Sequence, residues 1–149
     1  MPDERLVAFL KEHRVLTLAV AEPDGTPYAA ALFYALDAER LWFYVLTDPN
    51  TRHGQAMQQN SRVAGTVQRD RQSWTEIQGV QFTGTCRLLS GAERERAWEV
   101  YTARFPFLRT PASVLVRALR RVAMWSIEPH WIRLIDNRLG FGHKEEWTL

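Results

Sequence analysis

The sequence has one cysteine, Cys86, so no disulfide can form within the chain. It also has no apolar run of about 18 residues, the length that a helix needs to cross a membrane. Its first residues lack the basic and then apolar pattern of a secretory signal. No His or Cys residues have the spacing of metal ligands. These absences predict a cytoplasmic protein with no membrane partner and no metal.

Lysine is scarce and the charge is nearly balanced. Lys11 and Lys144 are the only lysines, and the net charge of +2 predicts no strong attraction to polyanions. Arginine, which supplies most of the positive charge, prefers planar partners such as carboxylate and phosphate. A basic patch of Arg117, Arg120 and Arg121 favours nucleic acid, but no recognised nucleic-acid motif accompanies it. We therefore predict no nucleic-acid partner.

No linker rich in Gly, Pro or Ser and no internal repeat divides the 149 residues, which predicts a single domain over 1–149. Alternating apolar residues, separated by turn residues, predict strands over residues 15–21, 27–36, 41–47, 62–67 and 76–89. Helical spacing predicts helices over residues 3–12, 51–60 and 91–105, and a short helix from residue 110. A final strand is predicted over 122–135 with an interruption near Pro129, followed by a loop-like tail over 136–144.

Capping residues predict where three of these helices begin. Asp48 or Asn50 is a candidate N-cap for the second helix, and Ser90 with Glu93 fits a capping box for the third. Thr110 is the candidate cap of the short helix. Mostly antiparallel strands with a few helices predict a mainly β fold, a small barrel with peripheral helices.

The turn between the third strand and the second helix has the clearest chemical pattern. Thr47, Thr51, Arg52 and His53 bring two hydroxyls, a guanidinium and an imidazole to the start of a helix. Free N–H groups and the positive end of the helix dipole favour an anion there. We interpret this turn as a phosphate site.

Four ordered segments, residues 17–28, 41–53, 58–67 and 79–89, resemble the FMN-binding split-barrel superfamily that includes pyridoxamine 5'-phosphate oxidase. Residues 132–144 are similar to its poorly characterised YhbP-like branch. The resemblance implies a mostly antiparallel split β-barrel, a homodimer, and FMN at the subunit interface.

The resemblance also implies which residues contact the cofactor. Thr47, Thr51, Arg52 and His53 would hold the FMN phosphate, with His53 where relatives often have lysine. The second strand would lie along the isoalloxazine, and a glutamine would reach its polar edge. The remaining residues in the predicted site are Ala30, Ala31, Leu32, Leu46, and Gln78 or Gln81.

Two departures from the oxidase pattern affect the predicted function. Ala30 and Ala35 replace charged flavin contacts, and the C-terminal substrate segment is not evident, so vitamin B6 oxidation is not predicted. We predict an FMN-dependent oxidoreductase acting on an unknown small molecule. The alternative is a flavin or haem carrier or sensor without turnover, and a deazaflavin is a further alternative to FMN. His143 is either a haem ligand or part of a surface loop.

Overall fold

The computed structural model describes residues 4–149. The strands are β1 (Val15–Ala21), β2 (Pro27–Asp37), β3 (Trp42–Thr47), β4 (Arg62–Gln68), β5 (Gln78–Leu88), β6 (Ala123–Asp136) and β7 (Lys144–Thr148). The helices are α1 (Glu4–Glu12), α2 (Arg52–Gln59), α3 (Gly91–Arg104) and α4 (Ser113–Leu119). Three short 3-10 helices cover Trp74–Glu76, Pro106–Arg109 and Asn137–Leu139. Asp3, the predicted start of the first helix, lies outside the described residues.

Six antiparallel strands close into a barrel. The strand order is β3-β2-β1-β4-β5-β6-β7, and a further pairing of β3 with β6 closes the ring. The first part of the long β6 pairs with β3 and so closes the ring, and its second part pairs with β7. β7 therefore lies outside the closed ring.

The predicted interruption of the last strand is a β-bulge within one continuous strand. Thr83 pairs with Trp131 and Gly84 pairs with Pro129, so His130 is the extra residue on β6. A Cβ on Gly84 would lie 2.2 Å from the carbonyl oxygen of Glu128, so only glycine allows this close approach. The predicted interruption is therefore confirmed in position, and it takes the form of a bulge because a bulge can accommodate proline within a ladder.

Residues 137–143 form the predicted loop, with a 3-10 helix at Asn137–Leu139, and β7 follows from Lys144, in a segment for which no strand was predicted. Glu145 and Trp147 are half-buried while their neighbours are exposed. Trp147 is the only apolar residue on the half-buried side of β7, so the alternating pattern that indicates a strand was weak. The connecting loop is held by a hydrogen bond from the Asp136 N–H to the His143 carbonyl oxygen (3.0 Å).

The capping interactions differ from those predicted, although α2 and α3 begin within one residue of the predicted positions. Thr51, rather than Asp48 or Asn50, caps α2, because its hydroxyl accepts from the Gly54 N–H. Ser90 makes no side-chain cap bond to α3, and the α4 cap is Ala112 rather than Thr110. The Glu93 carboxylate binds Arg87 in place of closing a capping box.

The hydrophobic core has two parts. Inside the barrel, Phe43 stacks on Phe82 at a centroid distance of 4.8 Å and Tyr34 meets Phe43 edge-on. A second cluster, which includes Tyr101 and Phe105, packs α3 against β2, β3 and β6. None of the helices within residues 4–149 is long and apolar enough to cross a membrane.

The barrel has two different ends. The β1–β2 turn, the end of β3 and helix α2 lie at one end, which we call the α2 end. Gln78 at the start of β5 and Asp136 at the end of β6 pair at the other, which we call the α1 end. Gln78 begins β5 at the α1 end, and Cys86 lies eight residues further along the same strand. This separation corresponds to about 26 Å in an extended strand.

Candidate functional site

Thr47, Thr51 and His53 form a compact cluster at the α2 end. The Nε2 atom of His53 lies 2.7 Å from Oγ1 of Thr47 and 3.2 Å from Oγ1 of Thr51. The turn is rigid, because the Thr51 hydroxyl donates to the Asp48 carbonyl (2.7 Å) and accepts from the Gly54 N–H (3.0 Å). The sequence therefore predicted correctly that these side chains would meet.

The contacts of Thr51 favour the tautomer of His53 that carries its hydrogen on Nε2. The single hydroxyl proton of Thr51 goes to Asp48, so its contact with His53 is favourable only when Nε2 carries the hydrogen. In this tautomer the Thr47 oxygen accepts from His53. The Thr47 hydroxyl hydrogen is then available to donate to a ligand.

The charge state of the cluster suits a ligand that brings its own negative charge. Burial lowers the pKa of His53, and the opposing effect of Asp48 is smaller, so the imidazole is neutral near pH 7. The backbone N–H groups of Arg52 and His53 open α2 without an acceptor among the described residues. Together with Thr47, these donors fit a phosphate monoester.

The Arg52 guanidinium lies beside this cluster but has partners of its own. Its Nε donates to Oε1 of Glu22 at 2.8 Å, and its NH2 group contacts the same oxygen. It also lies over the ring of Tyr28, 4.4 Å from the centroid. Glu22 and Tyr28 were not predicted from the sequence, because no local pattern connects the β1–β2 hairpin with a residue about thirty positions later.

Small side chains cover the outer face of four adjacent strands. Strand pairing places Ala29, Ala19, Ala64 and Thr83 in one row across β2, β1, β4 and β5. The same pairing places Ala31, Thr17, Thr66 and Gln81 in a second row. We call these two rows the small-residue face.

A shallow groove runs along part of this face. Its volume is about 500 Å³, and Ala19, Ala64 and Thr83 line it together with Arg62 and His130. Because the side chains of Ala19, Ala64 and Thr83 are short, a planar ring or a second protein surface can approach the backbone of the sheet closely there.

The predicted β2 residues divide between the two faces of the strand. Ala31 is exposed on the small-residue face, whereas Ala30 and Leu32 are half-buried on the opposite side. Leu32 packs against the barrel core. Leu46 is half-buried against the α3 cluster, on the opposite side of β3 from Thr47.

Gln78 and Gln81 also lie on opposite faces of their strand. Gln78 is buried, its Nε2 donates to Asp136 (3.3 Å), and its Oε1 has no partner among the described residues. The Gln81 side chain is exposed on the small-residue face and accepts from Arg133 at 3.4 Å. Of the two, Gln81 therefore faces the groove side of the sheet.

His143 lies in the loop before β7. Its Nε2 atom is buried without a hydrogen-bond partner among the described residues, 3.9 Å from Oε1 of Glu145. A haem iron could reach this nitrogen only if the loop moved. Within residues 4–149, no cluster of three or more His, Cys, Asp or Glu side chains has the geometry to hold a metal ion.

Comparison with solved structures supports the barrel. The chain matches a heme binding protein from Mycobacterium smegmatis with a TM-score of 0.75 at 16% identity, covering 99% of this chain and 59% of that one. It matches Campylobacter jejuni ChuZ with a TM-score of 0.77 at 12% identity, covering 97% and 58%. A nimc/nima family protein from Clostridium acetobutylicum gives 0.69 at 20% identity, covering 98% and 91%. These likenesses establish the fold, and the predicted mainly β split barrel is confirmed.

Sequence comparison identifies the family. A UPF0306 protein from Klebsiella pneumoniae (strain 342) is 37% identical over 139 residues, covering 93% of this chain and 88% of that protein. The UPF0306 protein YhbP of Salmonella arizonae is 39% identical over 140 residues, with the same coverage. The family model described as pyridoxamine 5'-phosphate oxidase matches residues 2–136. The resemblance inferred from the sequence is therefore confirmed: this chain belongs to the pyridoxamine 5'-phosphate oxidase-like split-barrel proteins, in the branch of YhbP.

Proposed function

We propose that this chain binds FMN, with the phosphate in the turn between β3 and α2, and uses it in an oxidoreductase reaction on a small molecule. The observation that carries the proposal is the Thr47–His53–Thr51 cluster beside the two free N–H groups of α2. These groups are donors at the positive end of a helix, an arrangement that suits a phosphate. Family membership makes FMN the first cofactor to test.

A bound flavin supplies hydride or electron transfer, and the protein supplies binding and orientation. Thr47 and the N–H groups of Arg52 and His53 would hold the phosphate, and Arg52 would add charge from the side. Ala31 and the backbone of β2 would lie along the ring, with Gln81 toward its polar edge. Ala30, Leu32, Leu46 and Gln78 would then contribute through the shape of the barrel rather than through side-chain contacts.

We further propose a homodimer in which the small-residue face forms the subunit contact and the cofactor lies at the interface. A ligand pocket normally buries most of its ligand, which the open outer face of one protomer does not do. A second copy packed on this face would close the groove. Replacing Ala31 with Arg should then reduce the solution mass to that of a monomer and release the flavin.

The test of FMN binding is an absorption spectrum before and after adding FMN and gel filtration, followed by titration. The Arg52→Ala variant should bind FMN 10- to 100-fold more weakly, since a charge-assisted contact is worth roughly 1.5–3 kcal/mol. Thr47→Val, which removes only the hydroxyl, should weaken binding by about tenfold. Arg94→Ala, an exposed arginine on α3, serves as the control. Equal FMN retention by Arg52→Ala, Thr47→Val and Arg94→Ala would contradict this phosphate site.

The second candidate is a flavin or haem carrier or sensor without turnover. A related fold in a protein named as heme binding favours testing haem. The buried Nε2 of His143 argues against that residue as the ligand, so FMN stays our first choice. Steady turnover with a nicotinamide donor and an electron acceptor would support the enzyme, whereas tight cofactor binding without turnover would support the carrier. The affinity for a deazaflavin should be measured in the same titration.

A further inference from the structure

The segment that includes α4 has an unusual charge pattern. Between Glu99 and Glu128 the sequence contains no Asp or Glu and five arginines. Three of these, Arg117, Arg120 and Arg121, lie in and just after α4 and form no ion pair within the part of the chain that the structure describes (residues 4–149). Cations near a helix C-terminus interact favourably with the negative end of the helix dipole. This interaction explains the position of the arginines but not the apolar side chains beside them.

Those apolar side chains are exposed. Val114 is 79% exposed, Val116 is 40% exposed, and Phe107 in the preceding 3-10 helix is 57% exposed. Helix α4 has no buried residue; Leu115 and Leu119 are half-buried, and Leu119 packs against the α3 cluster. A helix placed in this way exposes most of its surface to solvent.

Helical spacing puts arginine and valine on the same outward face. Val114 and Arg117 share one face of α4 at i and i+3, Arg121 lies in the turn just after the helix, and all three are exposed. We call this face, with the flanking Val116, Arg120 and Phe107, the α4 surface. It lies outside the small-residue face, which is made of strands β1, β2, β4 and β5.

We propose that the α4 surface binds the headgroup region of an anionic lipid bilayer. Guanidinium groups pair with lipid phosphates, and aliphatic and aromatic side chains between them enter the interface. Nucleic acid would satisfy the arginines but offers no apolar environment for Val114 and Val116. The mixture of charge and aliphatic side chains therefore favours a lipid surface. Such binding is peripheral, through a surface and not through a spanning helix.

Vesicle flotation of the full-length protein tests this proposal. Vesicles of phosphatidylcholine alone should leave the protein unbound, and vesicles that also contain phosphatidylglycerol should bind it at low salt and release it at high salt. The double variant Arg117→Gln/Arg121→Gln should bind about 25-fold more weakly, at about 5-fold for each cation removed. The variant Val114→Ser should bind a few-fold more weakly while keeping the same salt dependence.

A control variant of equal charge is Lys11→Gln/Arg94→Gln, which removes two exposed cations from α1 and α3. It should lose no more than a few-fold in binding. Equal losses in the two double variants would overturn the proposal, because net charge alone would then explain the binding. No binding to the acidic vesicles, or preferred binding to a DNA or RNA oligonucleotide that Val114→Ser leaves unchanged, would also overturn it. So would a change in solution mass in the Arg117→Gln/Arg121→Gln variant, because the surface would then be a subunit contact.

Discussion

Oγ1 of Thr47 and Nε2 of His53 meet at 2.7 Å across the turn between β3 and α2. One residue ends β3 and the other lies in the first turn of α2, so this contact joins the two elements directly. It also leaves the Thr47 hydroxyl hydrogen available for a ligand. The proposed phosphate site combines this pair with the charge of Arg52.

Arg52 is held by Glu22, so the carboxylate competes with any phosphate for the same guanidinium. Replacing Glu22 with Gln should raise the FMN affinity. The gain should not exceed about fivefold, because an exposed ion pair is worth at most about 1 kcal/mol. The measurement is a fluorescence titration of FMN at low salt. The double variant Glu22→Gln/Arg52→Ala should lose the gain, and a persistent gain there would show that Glu22 acts on the phosphate directly.

The pattern of residues 47–53 was sufficient to predict that hydroxyls and His53 would gather at a helix start, because the turn is local in sequence. The partners of Arg52 were not predictable, since Glu22 reaches it only after the β1–β2 hairpin folds back. The small-residue face required the strand register, which places Ala19 beside Ala29 and Ala64. Period-two alternation puts Gln78 and Gln81 on opposite faces, but only packing decides which of them is inside.

His53 should make stability depend on pH. Because burial lowers its pKa, the folded protein keeps the imidazole neutral at a pH where the unfolded chain already binds a proton. Stability should therefore fall as the pH drops below the ordinary histidine pKa of about 6.5, and the loss should end once the pH is below the folded-state pKa. His53→Gln, which keeps a hydrogen-bonding side chain without this titration, should show a smaller loss.

Urea unfolding of both proteins between about pH 7.5 and 5 measures this difference. The other three histidines are present in both proteins, so their contributions cancel in the comparison. Parallel stability curves for the wild type and His53→Gln would show that His53 titrates normally in the fold.

Gly54 allows α2 to approach the preceding turn closely. A Cβ at this position would lie 2.5 Å from the Asp48 carbonyl oxygen and 2.8 Å from that of Pro49. Alanine normally stabilises a helix interior by about 1 kcal/mol relative to glycine. Here the backbone would have to shift, so we expect Gly54→Ala to destabilise the protein by about 1–3 kcal/mol. FMN binding should weaken as well, because the phosphate donors belong to this turn.

The matched control is Gln59→Ala, an exposed substitution at the last residue of α2. Thermal unfolding of both variants distinguishes the effect of helix propensity on stability from the effect of the close backbone approach at Gly54. We expect Gln59→Ala to leave the stability within about 0.5 kcal/mol of the wild type. A stabilised Gly54→Ala protein would mean that the turn can relax around a methyl group.

The buried carboxylate of Asp37 gives a test of the fold that does not depend on a cofactor. The Tyr44 hydroxyl donates to its Oδ2 at 3.0 Å, and Nε of Arg96 donates to the same oxygen at 2.9 Å. Burial raises the pKa of Asp37, but the hydrogen bonds from Arg96 and Tyr44 outweigh it and hold the pKa below its ordinary value. Asp37 is therefore ionised near pH 7.

Tyr44→Phe removes one donor from this buried charge and should lower the free energy of unfolding by about 1.5–3 kcal/mol at pH 7. Because the folded-state pKa of Asp37 is lowered, the stabilisation is complete above its unfolded pKa of about 4 and is lost as the pH falls through the lower folded value. The difference between the variant and the wild type should shrink over that acidic range. Tyr28→Phe, a half-buried tyrosine on β2, is the control and should change stability by less than about 0.5 kcal/mol. If urea unfolding gave the same small loss for both variants, the Tyr44 hydroxyl would not support the Asp37 charge.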